Sequence, residues 1–171
     1  MVERIVHLAP GASGGPASMA PYVRGLAAAG ITARAVQLPR GTAERALPVY
    51  RAAAPFGAET VVGGQSFGGR VGSLLAAEGE VGGLVLISYP LHPPGAPDRW
   101  DQRTEHWPQI ACPVLLLSGD RDPFAKVGLL REAVGRLPRA ELHIYPGVGH
   151  GLRSVLDEAV GRIAAFVRGL D

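Results

Sequence analysis

Hydrophobic positions along the chain fall into two alternating patterns. The runs Val2–Leu8, Thr32–Leu38, Thr60–Gly63, Gly83–Ser88, Val114–Ser118 and Glu141–Tyr145 are short, rich in Val, Ile and Leu, and show little apolar–polar alternation. That pattern predicts strands covered on both faces. Between them, longer amphipathic stretches predict helices over Ala17–Ala29, Thr42–Ala54, Phe67–Glu78, Pro123–Arg136 and Leu152–Leu170. Gly30 and Gly79 supply stop signals, and Pro123 occupies a position where a first-turn proline is tolerated. Strand–helix alternation implies βαβ units and a mostly parallel sheet. Right-handed crossovers then place helices on both faces, so the expected fold is an α/β three-layer α/β/α sandwich of about six parallel strands. Ligands of such sheets sit beyond the carboxyl ends of the strands, which directs the search for function to the loops that follow each strand.

One segment breaks the rhythm. Tyr89–Ile110 is rich in proline, carries both tryptophans and has no clean helical period. It starts at the edge where function is expected, so it is either a lid or binding wall, or a surface crossover with a short helix near Asp98–Trp107.

The third predicted strand runs into Gly63-Gly64-Gln65-Ser66-Phe67-Gly68-Gly69-Arg70, which contains G-x-S-x-G as Gly64, Ser66 and Gly68 between a strand and a helix. A sharp strand-to-helix turn exposes the hydroxyl of Ser66, and glycines two residues to either side let neighbouring backbone pass without a Cβ clash. A serine hydroxyl is a weak nucleophile until a base lies within reach and the base is itself oriented. Candidates follow the next strands: Asp122 in Gly119-Asp120-Arg121-Asp122-Pro123, and His150 between Gly149 and Gly151. The order Ser, acid, His is the one that α/β-hydrolases use. Asp122 is favoured over Asp120 because it lies further out in its turn, where it can reach the next loop, whereas Asp120 suits capping of the turn.

The loop after the first strand, Pro10-Gly11-Ala12-Ser13-Gly14-Gly15, would lie beside Ser66 if the first and third strands are neighbours. It can then supply an oxyanion N–H from Ala12 to complement that of Phe67. The other histidines are weaker candidates. His7 and His143 lie within strands, and His92, His106 and His143 lack metal-ligand spacing; a surface role is expected for His92 and His106, although both are placed to touch a substrate. No metal site follows, and no cofactor either. A Walker loop would need a Gly-Lys pair, and a dinucleotide fingerprint would need an acid where Val36-Gln37-Leu38 ends the second strand.

Composition narrows the function classes. The 171 residues are 47% hydrophobic and 19% charged, enough for one domain (1–171) with a real core. The net charge of +2 comes without a run of like charges, which disfavours nucleic-acid partners. Cys112 is the only cysteine, so disulfides within the chain are excluded, and its position before a strand suits a buried apolar residue. No apolar stretch has the length of a membrane helix, and no signal peptide opens the chain. The expectation is a cytoplasmic protein without a membrane partner, a monomer or homodimer.

With these residues identified, the chain resembles the α/β-hydrolase superfamily. More narrowly, it resembles small cap-less predicted hydrolases related to dienelactone hydrolases and to the hydrolase-like domain of an NSL histone-acetyltransferase complex subunit. The resemblance rests on Gly63–Val71, on Ser88-Tyr89-Pro90-Leu91-His92-Pro93-Pro94-Gly95 and on Arg103-Thr104-Glu105-His106. It implies the strand order 2-1-3-4-5-6, no cap domain, and Ser66 as nucleophile with Asp122 as acid and His150 as base. Without a cap the site is expected to be open, with a small acyl substrate held near Ser13, Gln65, Tyr89 and His92. Many relatives have His-Gly at the oxyanion loop; here Pro10-Gly11 removes one backbone donor, while the N–H of Ala12 survives. The leading expectation is therefore a serine hydrolase of small esters or thioesters. The alternative is a catalytically inactive interaction module on the same fold.

Overall fold

The computed structural model describes residues 2–171. Six strands form one sheet: β1 Ile5–Ala9, β2 Thr32–Ala35, β3 Gly57–Gln65, β4 Val81–Ile87, β5 Val114–Gly119 and β6 Ala140–Tyr145. They lie in the order β2-β1-β3-β4-β5-β6, and every pairing is parallel. Helices α1 Ala20–Ala28 and α5 Leu156–Arg168 cover one face; α2 Ala43–Ala53, α3 Phe67–Glu78 and α4 Val127–Val134 cover the other. This is the expected three-layer sandwich and strand order.

The central strands explain why the sheet holds. In β4 and β5, Val85, Ile87, Leu115 and Leu117 face α1 and α5, while Leu84, Leu86, Val114 and Leu116 face α2, α3 and α4. All eight are essentially inaccessible to solvent. Each such side chain contributes about 1.5–3 kcal/mol through burial. Coverage on both faces fails at the sheet edges, however. Strand β2 is mostly exposed and the first residues of β6 are open to solvent; these are the two edge strands, and they carry charge there, as Arg34 and Glu141 do.

Helix boundaries differ from the sequence expectation where loops do other work. The chain makes a 3-10 turn at Pro16–Met19 before α1 and another at Arg153–Val155 before α5. Thr42 accepts from the backbone N–H of Arg45 and so caps α2. The fourth helix starts at Val127 and not at Pro123. Residues 122–126 are held in a non-helical loop by a bond from the Phe124 N–H to the Asp122 carboxylate at 2.8 Å.

The Tyr89–Ile110 segment is a crossover from β4 to β5 with short helical turns, as the second reading expects, but it is anchored by buried side chains. It forms three 3-10 turns, at Pro97–Arg99, Asp101–Arg103 and Trp107–Gln109. Leu91, Thr104 and Trp107 within it are fully buried. Arg136 donates to the Thr104 hydroxyl at 2.9 Å and stacks on Trp100 at 4.4 Å. The hydroxyl of Ser73 in α3 donates to the Arg70 carbonyl, so it accepts from the His106 Nε2–H at 2.7 Å. The segment is thus a packed strut across the α3 side of the sheet.

Burial, helped by the nearby Arg70 charge, pushes the His106 pKa down to about 4. The neutral ring is the one that folds. As pH falls below the ordinary histidine value, the unfolded chain takes up a proton that the native state refuses, so stability is lost. Between pH 7.5 and pH 5 the wild type is expected to lose about 2 kcal/mol more than His106→Gln, which keeps a donor for Ser73. Urea unfolding of both proteins at the two pH values checks this; equal losses would contradict it.

Candidate active site

The carboxyl ends of β1, β3, β5 and β6 meet at one rim. At the end of β3 the chain turns directly into α3, and Ser66 at the junction has φ 49° and ψ −117°. A non-glycine residue in this region is strained and needs surroundings that enforce it. The enforcement comes from close backbone packing. Gly64 has φ 154°, and a Cβ added to it would sit 2.1 Å from the Ala9 carbonyl oxygen. One added to Gly68 would sit 2.1 Å from the same oxygen. Strand β1 therefore packs against both glycines of the motif, and the turn has no room to relax.

The side chain of His150 lies in the loop after β6, and its Nε2 is 2.9 Å from the Ser66 Oγ. Its Nδ1 lies 2.8 Å and 2.9 Å from the two Asp122 carboxylate oxygens. The Asp122 side chain is fully buried and that of His150 is 27% exposed. A buried carboxylate needs donors; Asp122 receives them from His150 Nδ1–H and the Phe124 N–H. That bond fixes the tautomer, leaving Nε2 free to accept from the serine hydroxyl. The Phe124 ring packs on the imidazole at a centroid distance of 4.3 Å.

Strand β1 is the neighbour of β3, so its following loop does lie beside Ser66; a Cβ on Gly11 would meet the Ser66 Cβ at 3.7 Å. Among the described residues, the backbone N–H groups of Ala12 and Phe67 have no protein acceptor. A cavity of about 360 Å³ opens here, between the Pro10–Pro16 loop, residues 37–41 and Phe67. Ser13 is an exposed part of its wall, and Arg40 is the only charged side chain that lines it. Gln65 is half-buried at the end of β3.

Tyr89 and His92 are not on the rim. Tyr89 is 2% exposed, packs edge-on against Trp107, and donates its hydroxyl to the Arg103 carbonyl. His92 is 1% exposed and hydrogen-bonded on both ring nitrogens. Both are turned inward because the strut they begin is packed against the sheet, so neither presents a surface to a substrate. His106, half-buried on Ser73, is likewise not a surface residue. Asp120 does not cap its own turn; its carboxylate accepts from the Gly147 N–H at 2.7 Å and ties the acid loop to the histidine loop. Two backbone bonds reinforce the tie, from Asp120 N–H to the Tyr145 carbonyl and from Arg121 N–H to the Val148 carbonyl. The roles of Asp120 and Phe124 depend on contacts between loops, and only the position of Asp120 after a strand pointed to either.

Residues 41–161 match the family model described as an alpha/beta hydrolase domain. The chain belongs to that family. Solved structures with the same architecture include a dienelactone hydrolase from Anabaena variabilis, with a TM-score of 0.80 at 19% identity, covering 99% of this chain and 88% of that one. A predicted CIB-like hydrolase from Thermoplasma acidophilum gives 0.79 at 18% identity, over 99% of this chain and 88% of that one. An esterase from Pyrococcus furiosus gives 0.78 at 17% identity, over 98% and 81%. No curated protein matches the chain. No helix among the described residues is long and apolar enough to cross a membrane.

In this hydrolase the glycine packing beneath Ser66 is open to test. Gly68→Ala would drive a Cβ into the Ala9 carbonyl and should cost about 2–3 kcal/mol in urea unfolding. Gly161→Ala, in α5 with nothing within 4 Å of its added Cβ, should be neutral or gain about 0.5–1 kcal/mol. Equal stabilities for the two variants would remove the packing argument.

Proposed function

We propose that the protein is a serine hydrolase that cleaves a small ester or thioester through an acyl-enzyme. The observation that carries this reading is the continuous chain of contacts from Asp122 through His150 to the Ser66 Oγ, with hydrogen-bond distances of 2.8 Å and 2.9 Å. The Ser66 Oγ attacks the acyl carbon while His150 Nε2 takes its proton, and Asp122 stabilises the imidazolium that forms. The carbonyl oxygen becomes an oxyanion and accepts from the N–H groups of Phe67 and Ala12. Pro10 leaves both donors in place, because neither is its own. Collapse expels the alkoxide or thiolate, which receives the proton from His150. Water then attacks the acyl-serine with His150 again as base, and Ser66 is restored.

The cavity that reaches Gly11 and Phe67, the neighbours of Ser66, has room for a small acyl or leaving group, with Ser13 in its wall, and Gln65, next to the nucleophile, is a second expected contact. The chemistry needs no cofactor beyond these side chains and water. A non-catalytic interaction module would have no use for a strained serine aligned on a histidine–aspartate pair, which is why the enzymatic reading is preferred.

Hydrolysis of p-nitrophenyl butyrate by the wild type, lost by about 10,000-fold in kcat/KM in Ser66→Ala, is the expected outcome. Equal rates for wild type and variant would remove the reading, and an inert wild type would favour the interaction module.

A further inference from the structure

His92 is a buried histidine with both ring nitrogens and its backbone N–H engaged, two of the three by the loop after β5. Its backbone N–H donates to the Phe124 carbonyl at 3.0 Å. Its Nε2 accepts from the Lys126 N–H at 3.1 Å. An Nε2 that accepts must be unprotonated, so Nδ1 carries the proton and donates it to the Pro93 carbonyl at 2.9 Å. Two bonds thus bracket residues 124–126, a stretch that no helix or strand supports and that precedes α4. Lys126 is the N-cap residue of α4, and its own side chain makes no cap bond.

The bracketed stretch carries two contacts of the proton-transfer chain. The Phe124 N–H donates to the Asp122 carboxylate, and the Phe124 ring lies against His150. The Ala125 N–H also closes on the Asp122 carbonyl at 3.2 Å, so 122–125 forms one hydrogen-bonded turn that runs into Lys126. His92 reaches it because β4 ends in a forced bend. Ser88 has φ 51° while its N–H still bonds the Leu117 carbonyl at 2.8 Å, and the Leu91 N–H folds back on the Tyr89 carbonyl. Apart from Ser66, Ser88 is the only non-glycine residue with positive φ among the described residues, and the bend it makes points the chain across β5 toward the acid loop.

We propose that His92 is a positioning residue: clamped to Phe124 and Lys126, it holds the acid loop so that Asp122 and the Phe124 ring fix the imidazole of His150 against Ser66. It touches no reacting atom. The inference rests on the hydrolase reading of Ser66, Asp122 and His150. Loss of the Nε2 acceptor removes one of the two bonds that hold the turn, and displacement of Asp122 by about an ångström is enough to slow proton transfer by about 10–100-fold.

Three variants test it. His92→Leu removes both ring bonds. His92→Gln keeps an acceptor that can reach the Lys126 N–H. Lys126→Pro deletes the donor from the other side, at a residue whose φ of −60° already matches proline. With p-nitrophenyl butyrate, His92→Leu and Lys126→Pro are expected to lower kcat about 10–100-fold with KM within about twofold, whereas His92→Gln stays within about threefold of wild type. The double variant His92→Leu/Lys126→Pro should be no worse than the poorer single one, since the bond that Lys126→Pro deletes is already lost in His92→Leu. A proton NMR spectrum supplies a readout independent of turnover: the far-downfield resonance of the His150 Nδ1–H held by Asp122 should be present in wild type and His92→Gln and broadened or lost in His92→Leu. Wild-type kcat in His92→Leu with that resonance intact overturns the proposal. An inert wild type would count against the hydrolase reading instead, and the resonance alone would then decide the clamp: its persistence in His92→Leu refutes it. If His92→Leu fails to fold, Lys126→Pro carries the same two readouts.

Discussion

The close approach of β1 to the β3–α3 turn is the constraint on which the site depends. The Ala9 carbonyl lies where a side chain on Gly64 or Gly68 would have to go, so the turn keeps a backbone that Ser66 would not choose for itself. The same approach brings the Gly11–Ala12 bend up to the serine. The strained backbone at Ser66 and the loop beside it are therefore two results of one packing event. The obstacle to a side chain at either motif glycine is main chain on the neighbouring strand, which has no rotamer to adopt.

A second layer of order comes from loops tied to loops. The turn after β5 is bound to the turn after β6 through Asp120 and Arg121, and to the bend after β4 through His92. Each tie is made of two or three hydrogen bonds of modest net value, so the loops hold their relative position through several small contributions. The strut over 89–110 supports the arrangement from the α3 side, with Tyr89, Trp107 and His106 as its anchors. With a cavity of about 360 Å³ open beside Ser66 and no inserted cap above it, the rim is shaped almost entirely by these short loops.

Much of this was legible from residue order. The apolar runs of β4 and β5 mark strands buried on both faces, and strand–helix alternation fixes a parallel sheet, from which it follows that Ser66, Asp122 and His150 share a rim. The edges were less legible, because β2 and β6 are identified by their neighbours and not by their own half-exposed sequences. Pro123 looks like a helix start in isolation; the Asp122 carboxylate instead captures the Phe124 N–H and delays α4 to Val127. Tyr89 and His92 sit after a strand, as binding residues do. Yet the left-handed bend at Ser88 turns them inward, and a positive φ at a serine leaves no trace in the sequence.

The central claim is that His150, held by Asp122, makes the Ser66 hydroxyl reactive. Intact-mass spectrometry after treatment with a fluorophosphonate addresses it without knowledge of the natural substrate. The account predicts one adduct per chain, on Ser66, formed rapidly by the wild type and orders of magnitude more slowly by His150→Ala. No adduct on the folded wild type, or an equal rate in the variant, would contradict it.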